Sequence, residues 1–308
     1  MTVTSKEKTW GNYIGGEWVA SESGKTFESR NPSNTNELIG EFAASTKSDV
    51  DGAIQAASGA AAMWRDTTPI ARATILHKAA EILASRQAEV GRELAREEGK
   101  TLKEGLGETG RAVQILRYYA GDIQQPDGEH YPSANPDTLL YTMREPLGVV
   151  GVITPWNFPI AIPAWKIAPA IAYGNTVVFK PASATPLLAA RFVEALADAG
   201  LPAGVLNLVT GSASVVGDPL VEDERVAAIS FTGSGEVGRK LSVTAAKRGA
   251  KIQLELGGQN PAIVLADADM NHALQHVMTG AMWSSGQKCT ATSRAIVHRS
   301  IADEFTEK

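Results

Sequence analysis

Residues 148–154 read GVVGVIT, and residues 175–180 read NTVVFK. Both runs are short, valine-rich and apolar at successive positions. Without alternation, such a strand is covered on both faces. Working outwards, each run gives way to a helical pattern, at 160–173 and 186–199. The cadence continues with GVLNLVT (204–210) before a helix at 214–220, and VAAISFT (226–232) before one at 235–247. KIQLELGG (251–258) follows. Alternation of this kind predicts an α/β fold with a parallel sheet of Rossmann-like type. Ligands of such sheets bind beyond the carboxyl ends of the strands, so chemistry is expected there.

The preceding part is helical in pattern, over 49–63 and 69–99. Ile75, Leu76, Ala79, Ala80 and Leu83 recur at spacings of three and four. Pro69 suits a helix's first turn and Gly99 its end. A third helix is expected over 106–120. Residues 122–138 are turn-rich and read as a connection between substructures. A second unit starts at PAIVLADAD (261–269) and contains Cys289. The last residues, SIADEFTEK, resemble the first turns of an amphipathic helix without a stop. A piece of a longer protein is therefore expected.

Of 308 residues, 44% are hydrophobic and 20% charged, and the net charge is −5. That balance argues against nucleic acid or an anionic membrane as partner, since either needs a basic face. No apolar run is long enough to span a bilayer. The start, MTVTSKEKTWGNY, is polar and unlike a signal peptide. With a single cysteine, a reducing cytoplasm is the expected setting.

Several motifs carry chemistry, each with a plainer alternative. FTGSGEVG places Gly233, Gly235 and Gly238 as G-x-G-x-x-G between strand and helix, which fits phosphate contact or a simple tight turn. TPWNFP sets Asn157 in a proline-stiffened loop, as an oxyanion donor or an ordinary turn residue. Alternation in KIQLELGG puts Gln253 and Glu255 on one face. Glu255 is either solvated or, partly buried at a crevice, a general base. His272 and His276, four apart, read as a solvated helix face, and no metal site is expected. Cys289 is a buried filler or a nucleophile. A free thiol is only a few per cent thiolate at neutral pH, so Lys288 or amide dipoles would have to activate it.

In order along the chain, PWNFP, KPAS, FTGSGEVG, ELGG and GQKC resemble the aldehyde dehydrogenase superfamily. The interval from Glu255 to Cys289 is 289 − 255 = 34 residues, as the family requires. The resemblance implies that Cys289 attacks an aldehyde and Asn157 holds the oxyanion. It implies that Glu255 activates the water that hydrolyses the thioester. NAD or NADP would contact Ile153, Thr154, Pro155, Trp156, Lys180, Ala182, Ser183, Gly211, Gly217, Phe231, Thr232, Gly233, Ser234, Val237, Leu256 and Gly257. Residues 1–123 and 147–257 would form the dinucleotide-binding domain, 124–146 a bridging hairpin, and 258–308 the start of a catalytic domain. The longer protein would be a homodimer or homotetramer.

NAD-preferring relatives often carry glutamate where this chain has Ser183. A carboxylate there repels a 2′-phosphate; unit charges 4 Å apart interact by ~4 kcal/mol at an effective dielectric of 20. Serine points to NADP as the preferred cofactor. Arg111, Phe158, Trp165, Trp283 and Lys288 are implied at the substrate entrance. Arg111 stands where relatives handling simple aldehydes are apolar, and would clamp a distal carboxylate or form a surface ion pair. GQKCTATSR also resembles members oxidising α-ketoglutarate semialdehyde. That substrate is expected first and succinate semialdehyde second. The alternative is an incomplete chain that only binds the nucleotide.

Overall fold

A computed structural model describes residues 9–308. Residues 1–8, the polar start unlike a signal peptide, lie outside the described residues. Five strands come first: β1 (Thr9–Trp10), β2 (Asn12–Ile14), β3 (Glu17–Val19), β4 (Thr26–Arg30) and β5 (Leu38–Ala43). The helical reading of this part missed them. They are short and mix polar with apolar residues, and β2 owes its place to distant partners. Buried Asn12 accepts from the Ser45 hydroxyl at 2.8 Å and the Thr210 amide at 3.2 Å, pinning β2 to the main sheet.

Helices α1 (Lys47–Asp66), α2 (Pro69–Ser85), α3 (Gln87–Glu98) and α4 (Leu102–Asp122) follow. The single helix expected over 69–99 is two, broken at Arg86. The break folds α3 back onto α4, where glycines permit close approach. A Cβ on Gly105 would lie 2.4 Å from the Gly91 carbonyl oxygen. Helix α4 begins earlier than expected because Thr101 and Glu104 form a capping box. Within the turn-rich connection, β6 (His130–Tyr131) and β7 (Leu140–Tyr141) pair as an exposed antiparallel hairpin.

The predicted alternation then appears: β8 (Val149–Ile153), α5 (Ala161–Ala172), β9 (Thr176–Lys180), α6 (Pro186–Asp198) and β10 (Leu206–Leu208). A π-helical turn, Ala213–Gly217, leads into α7 (Asp218–Glu222), replacing the regular helix expected at 214–220. Strand β11 (Val226–Gly233), α8 (Gly235–Lys247) and β12 (Lys251–Leu256) complete the sheet. Its order is β12-β11-β8-β9-β10-β2-β3. The first five strands are mutually parallel, and β2 and β3 add an antiparallel edge.

The central strands feed two cores, one on each face. Val150, Val152, Val177 and Phe179 join Leu116, Ile167 and Leu188. Val149, Ile153 and Val178 join Ile54, Leu220 and Leu241. Alternate residues thus serve opposite cores, which is why the runs are apolar throughout. Beyond the sheet, β13 (Asn260–Val264) pairs in parallel with β14 (Thr292–Val297). Between them lies α9 (Met270–Met282), which has no buried residue, and α10 (Ala302–Glu307) ends the chain.

Candidate active site

Three segments far apart in sequence meet at the carboxyl ends of β8, β11 and β12. The first is the loop after β8. Its position is set by a buried ion pair, Lys100 to Glu108 at 2.7 Å. The Lys100 ammonium also donates to the Asn157 carbonyl at 2.5 Å and lies 3.7 Å from the centre of the Phe158 ring. Glu108 accepts from the amides of Ile160 and Ala161, at 3.1 and 3.2 Å, and so caps α5. Burial of both charges is tolerated because every contact is paired.

The second segment carries Cys289, which is exposed rather than a buried filler. Ser284 and Ser285 adopt φ of 52° and 54°, a left-handed conformation that costs non-glycine residues energy, and Gly286 follows at 69°. Three side chains hold this segment. Asn157 Nδ2 donates to the Gln287 carbonyl at 2.7 Å. Glu104 Oε1 accepts from the Ser284 amide at 2.8 Å. Asn260 Nδ2 donates to the carbonyls of Cys289 and Ala291, at 2.6 and 3.0 Å.

Glu255 is the third contribution. The alternation expected in β12 holds and the side chain lines a cleft as expected, but it is exposed rather than partly buried. Gln253 Nε2 donates to Glu255 Oε1 at 2.8 Å, while Gln253 Oε1 accepts from Lys166 at 3.0 Å and Ser230 at 2.8 Å. Burial pushes the Lys166 ammonium down to about 8.

Three clefts adjoin here. One of about 330 Å³ is lined by Pro155, Trp156, Asn157, Thr232, Gly233, Ser234, Leu256, Gly257 and Cys289. A second, about 460 Å³, reaches from Cys289 to Trp165, Lys166 and Glu255. Cys289 therefore lines one cleft with Asn157 and another with Glu255. A third, about 320 Å³, brings together Arg111, Phe158, Trp165, Trp283 and Lys288, all five residues implied at the entrance. Arg111 Nη1 donates to Gln114 at 3.3 Å and has no carboxylate partner among the described residues, so the surface ion pair is not formed.

A further group gathers at the ends of β9 and β10. Burial pushes Lys180 down to about 8, and its ammonium donates to the Pro181 carbonyl at 2.8 Å. The Ser183 hydroxyl donates to the Gly211 carbonyl at 2.8 Å. Gly217 passes close to the Lys180 side chain, and Ala182 lies between the two anchored residues. Ile153 ends β8, and Thr154 follows it with a buried hydroxyl lacking a partner. Ser234 caps α8 by accepting from the Val237 amide at 3.3 Å. The Phe231 ring packs in the core, which leaves its backbone for the contact the resemblance implies. Gly238 serves packing: a Cβ there would lie 2.5 Å from Leu256. The rings of His272 and His276 lie 4.2 Å apart, and no cluster of three metal-ligating side chains occurs among the described residues.

Sequence reasoning missed Lys100, Glu104, Glu108, Lys166 and Asn260, and gave Gln253 only its face of the strand. The T-L-K-E capping box was a legible sign of Glu104. The others depend on pairings between distant segments.

A cysteine at the carboxyl end of a parallel sheet, beside a stiffened asparagine loop and an acid on the next strand, defines an α/β thiol site. The aldehyde dehydrogenase family profile matches residues 18–308, and the chain belongs to that family. It is 50% identical over 308 residues to alpha-ketoglutaric semialdehyde dehydrogenase of Bacillus subtilis, covering 100% of this chain and 63% of that protein. It is 45% identical over 294 residues to alpha-ketoglutarate semialdehyde dehydrogenase of Haloferax volcanii, covering 96% of this chain and 61% of that protein. Among solved structures, betaine aldehyde dehydrogenase of Staphylococcus aureus in complex with NAD+ superposes with a TM-score of 0.94 at 37% identity. That match covers 97% of this chain and 59% of the other. The chain spans about three fifths of the length of the curated relatives it matches.

Proposed function

We propose that this chain carries the nucleotide-binding part and the nucleophile of an NAD(P)-dependent aldehyde dehydrogenase acting on a semialdehyde acid. The convergence of Asn157, Glu255 and Cys289 on adjoining clefts carries the reading.

The Cys289 thiolate attacks the aldehyde carbon. The Cys289 amide and Asn157 Nδ2 hold the developing oxyanion. Asn157 gives one Nδ2 hydrogen to Gln287, and an amide has two. One such donor contributes roughly 3–4 kcal/mol. When bound, the nicotinamide supplies the hydride acceptor. Glu255 then takes a proton from the water that attacks the thioester, and Cys289 leaves as thiolate.

The residues present fit a dinucleotide. The Thr154 hydroxyl is buried without a partner. Lys180 is a buried ammonium held by a single carbonyl. Gly233 is so closed in that a Cβ would meet Phe231 at 2.5 Å. Lys180 and Ser183 would hold the adenosine ribose or its phosphate, and Gly233 and Ser234 the pyrophosphate. NADP is the preferred cofactor on this reading, because no carboxylate stands at Ser183. Ser183 donates its proton to Gly211, so it would meet a phosphate only after releasing that bond. The names of the two relatives and the unpaired Arg111 support α-ketoglutarate semialdehyde, with succinate semialdehyde second. On this reading residues 124–146 serve as a bridging hairpin in a cytoplasmic homodimer or homotetramer.

The test is to mix the purified chain with NADP and α-ketoglutarate semialdehyde. Formation of NADPH supports the proposal. Nucleotide binding without turnover favours the binding-only alternative. A higher kcat/KM with NAD than with NADP overturns the cofactor assignment.

A further inference from the structure

Helix α4 carries Glu104 and Glu108 one turn apart, and each acid reaches one wall of the site. Glu108 and its partner Lys100 hold the Asn157 loop. Glu104 divides its oxygens. Oε2 accepts from the Thr101 amide at 3.2 Å and hydroxyl at 2.9 Å, completing the capping box. Oε1 is left for the Ser284 amide, 180 residues away in sequence. Ser284 and Ser285 are the only non-glycine residues with positive φ among the described residues. Two such residues in succession persist only where the surroundings over-determine them. The Gln287 amide closes the turn onto the Ser284 carbonyl at 2.8 Å, and Cys289 follows two residues later. Burial pushes the Glu104 carboxyl up, but the bonds from Ser284 and Thr101 outweigh it and leave it below the usual glutamate range.

We propose that Glu104 is a positioning residue: its Oε1 anchors the strained turn at Ser284 and Ser285 and thereby fixes the backbone that presents Cys289. The function of this anchor rests on Cys289 being the nucleophile; the anchor itself does not.

Three variants separate the two oxygens. Glu104→Ala removes both interactions, Thr101→Ala weakens the cap alone, and Glu104→Gln keeps an acceptor for Ser284. Hydrogen exchange by mass spectrometry reads the turn directly and needs no turnover. A hydrogen bond to a charged group is strong enough that Glu104→Ala should speed exchange at Ser284 and Ser285 roughly tenfold or more. Thr101→Ala should leave exchange there near wild type, and Glu104→Gln should restore most of the protection. In the oxidation assay, kcat should fall about tenfold in Glu104→Ala while KM for NADP stays within about twofold. Unchanged exchange in Glu104→Ala, equal acceleration in Thr101→Ala, or no rescue by glutamine overturns the proposal. So does a parallel rise in the NADP KM, which marks general loosening. If Cys289→Ser still oxidises the aldehyde, the functional reading fails, while exchange at Ser284 still decides the role of Glu104.

Discussion

Glu97→Gln should change from near neutral to stabilising as the pH rises. Helix α6 has no side-chain cap of its own. Its first free amides, Leu187 and Leu188, donate to the Glu97 carboxyl at 2.8 and 3.1 Å, and the Ser29 hydroxyl donates at 3.2 Å. The amides and the helix dipole favour the anion, and burial opposes it. Glu97 is 2% exposed, burial wins, and the carboxyl is pushed up to about 8. An unfolded glutamate titrates near about 4.3, so the folded state holds the proton more tightly. The stability this gives is fully present below the unfolded value and is lost as pH rises through about 8. The limiting slope is ~1.4 kcal/mol per pH unit and the total roughly 5 kcal/mol. Glutamine keeps one carbonyl oxygen for the amides and never ionises. Losing the second acceptor costs about 1 kcal/mol at every pH. The variant should therefore be slightly weaker than wild type near about pH 5 and several kcal/mol stronger near about pH 9. Urea unfolding across a pH series measures both curves. A difference that does not change with pH, or a variant weakest at high pH, would mean that the amides keep Glu97 ionised and that the reasoning is wrong.

Arg111→Ala should raise KM for a semialdehyde acid roughly ten- to a hundredfold while leaving a neutral aldehyde unaffected; equal effects on both would remove the clamp. Cys289→Ala should abolish oxidation and leave nucleotide binding intact, measured by NADPH formation and by titration calorimetry. Lys180, held near about 8 by burial, should bind a 2′-phosphate best while charged. NADP affinity should then weaken as pH rises through that value while NAD affinity stays flatter, and identical pH slopes would rule out the contact. Trp64→Phe removes a buried bond from Nε1 to the Ile171 carbonyl at 2.9 Å; that carbonyl still accepts from the Gly174 amide at 3.2 Å, so a loss of only about 0.5–1.5 kcal/mol from the bond itself is expected in chemical denaturation.

The parallel sheet was legible because its strands are buried on both sides. Val149 to Ile153 serves two cores, so the run needs apolar residues throughout, and that pattern survives in one dimension. The amino-terminal strands were not legible, since Asn12 is placed by Ser45 and Thr210 rather than by its neighbours. The break at Arg86 was hidden for a related reason. Apolar spacing continues across it, and the glycines that permit the fold-back, Gly91 and Gly105, act only as a pair. At the site, Asn157, Glu255 and Cys289 stood out by motif. Their supports did not, because Lys100 and Asn260 look like ordinary surface polar residues until the segments meet, and the capping box marks Glu104 as a helix start rather than as a residue of the site.

Those supports also decide what charge the clefts offer. Glu104 and Glu108 line the same cleft as Arg111 and Lys288. Lys100 lines it too, so the bases outnumber the acids by three to two, and the hydrogen bonds decide which of them are left unpaired. Glu108 is taken by Lys100 and two amides, and Glu104 by Ser284 and Thr101. Neither acid reaches Arg111 or Lys288, which have no carboxylate partner among the described residues; Lys288 instead lies 5.9 Å from the centre of the Trp283 ring. The acids are thus committed to the scaffold and the two cations are left without carboxylate partners, which on the proposed function would favour an anionic end on the aldehyde that reaches Cys289.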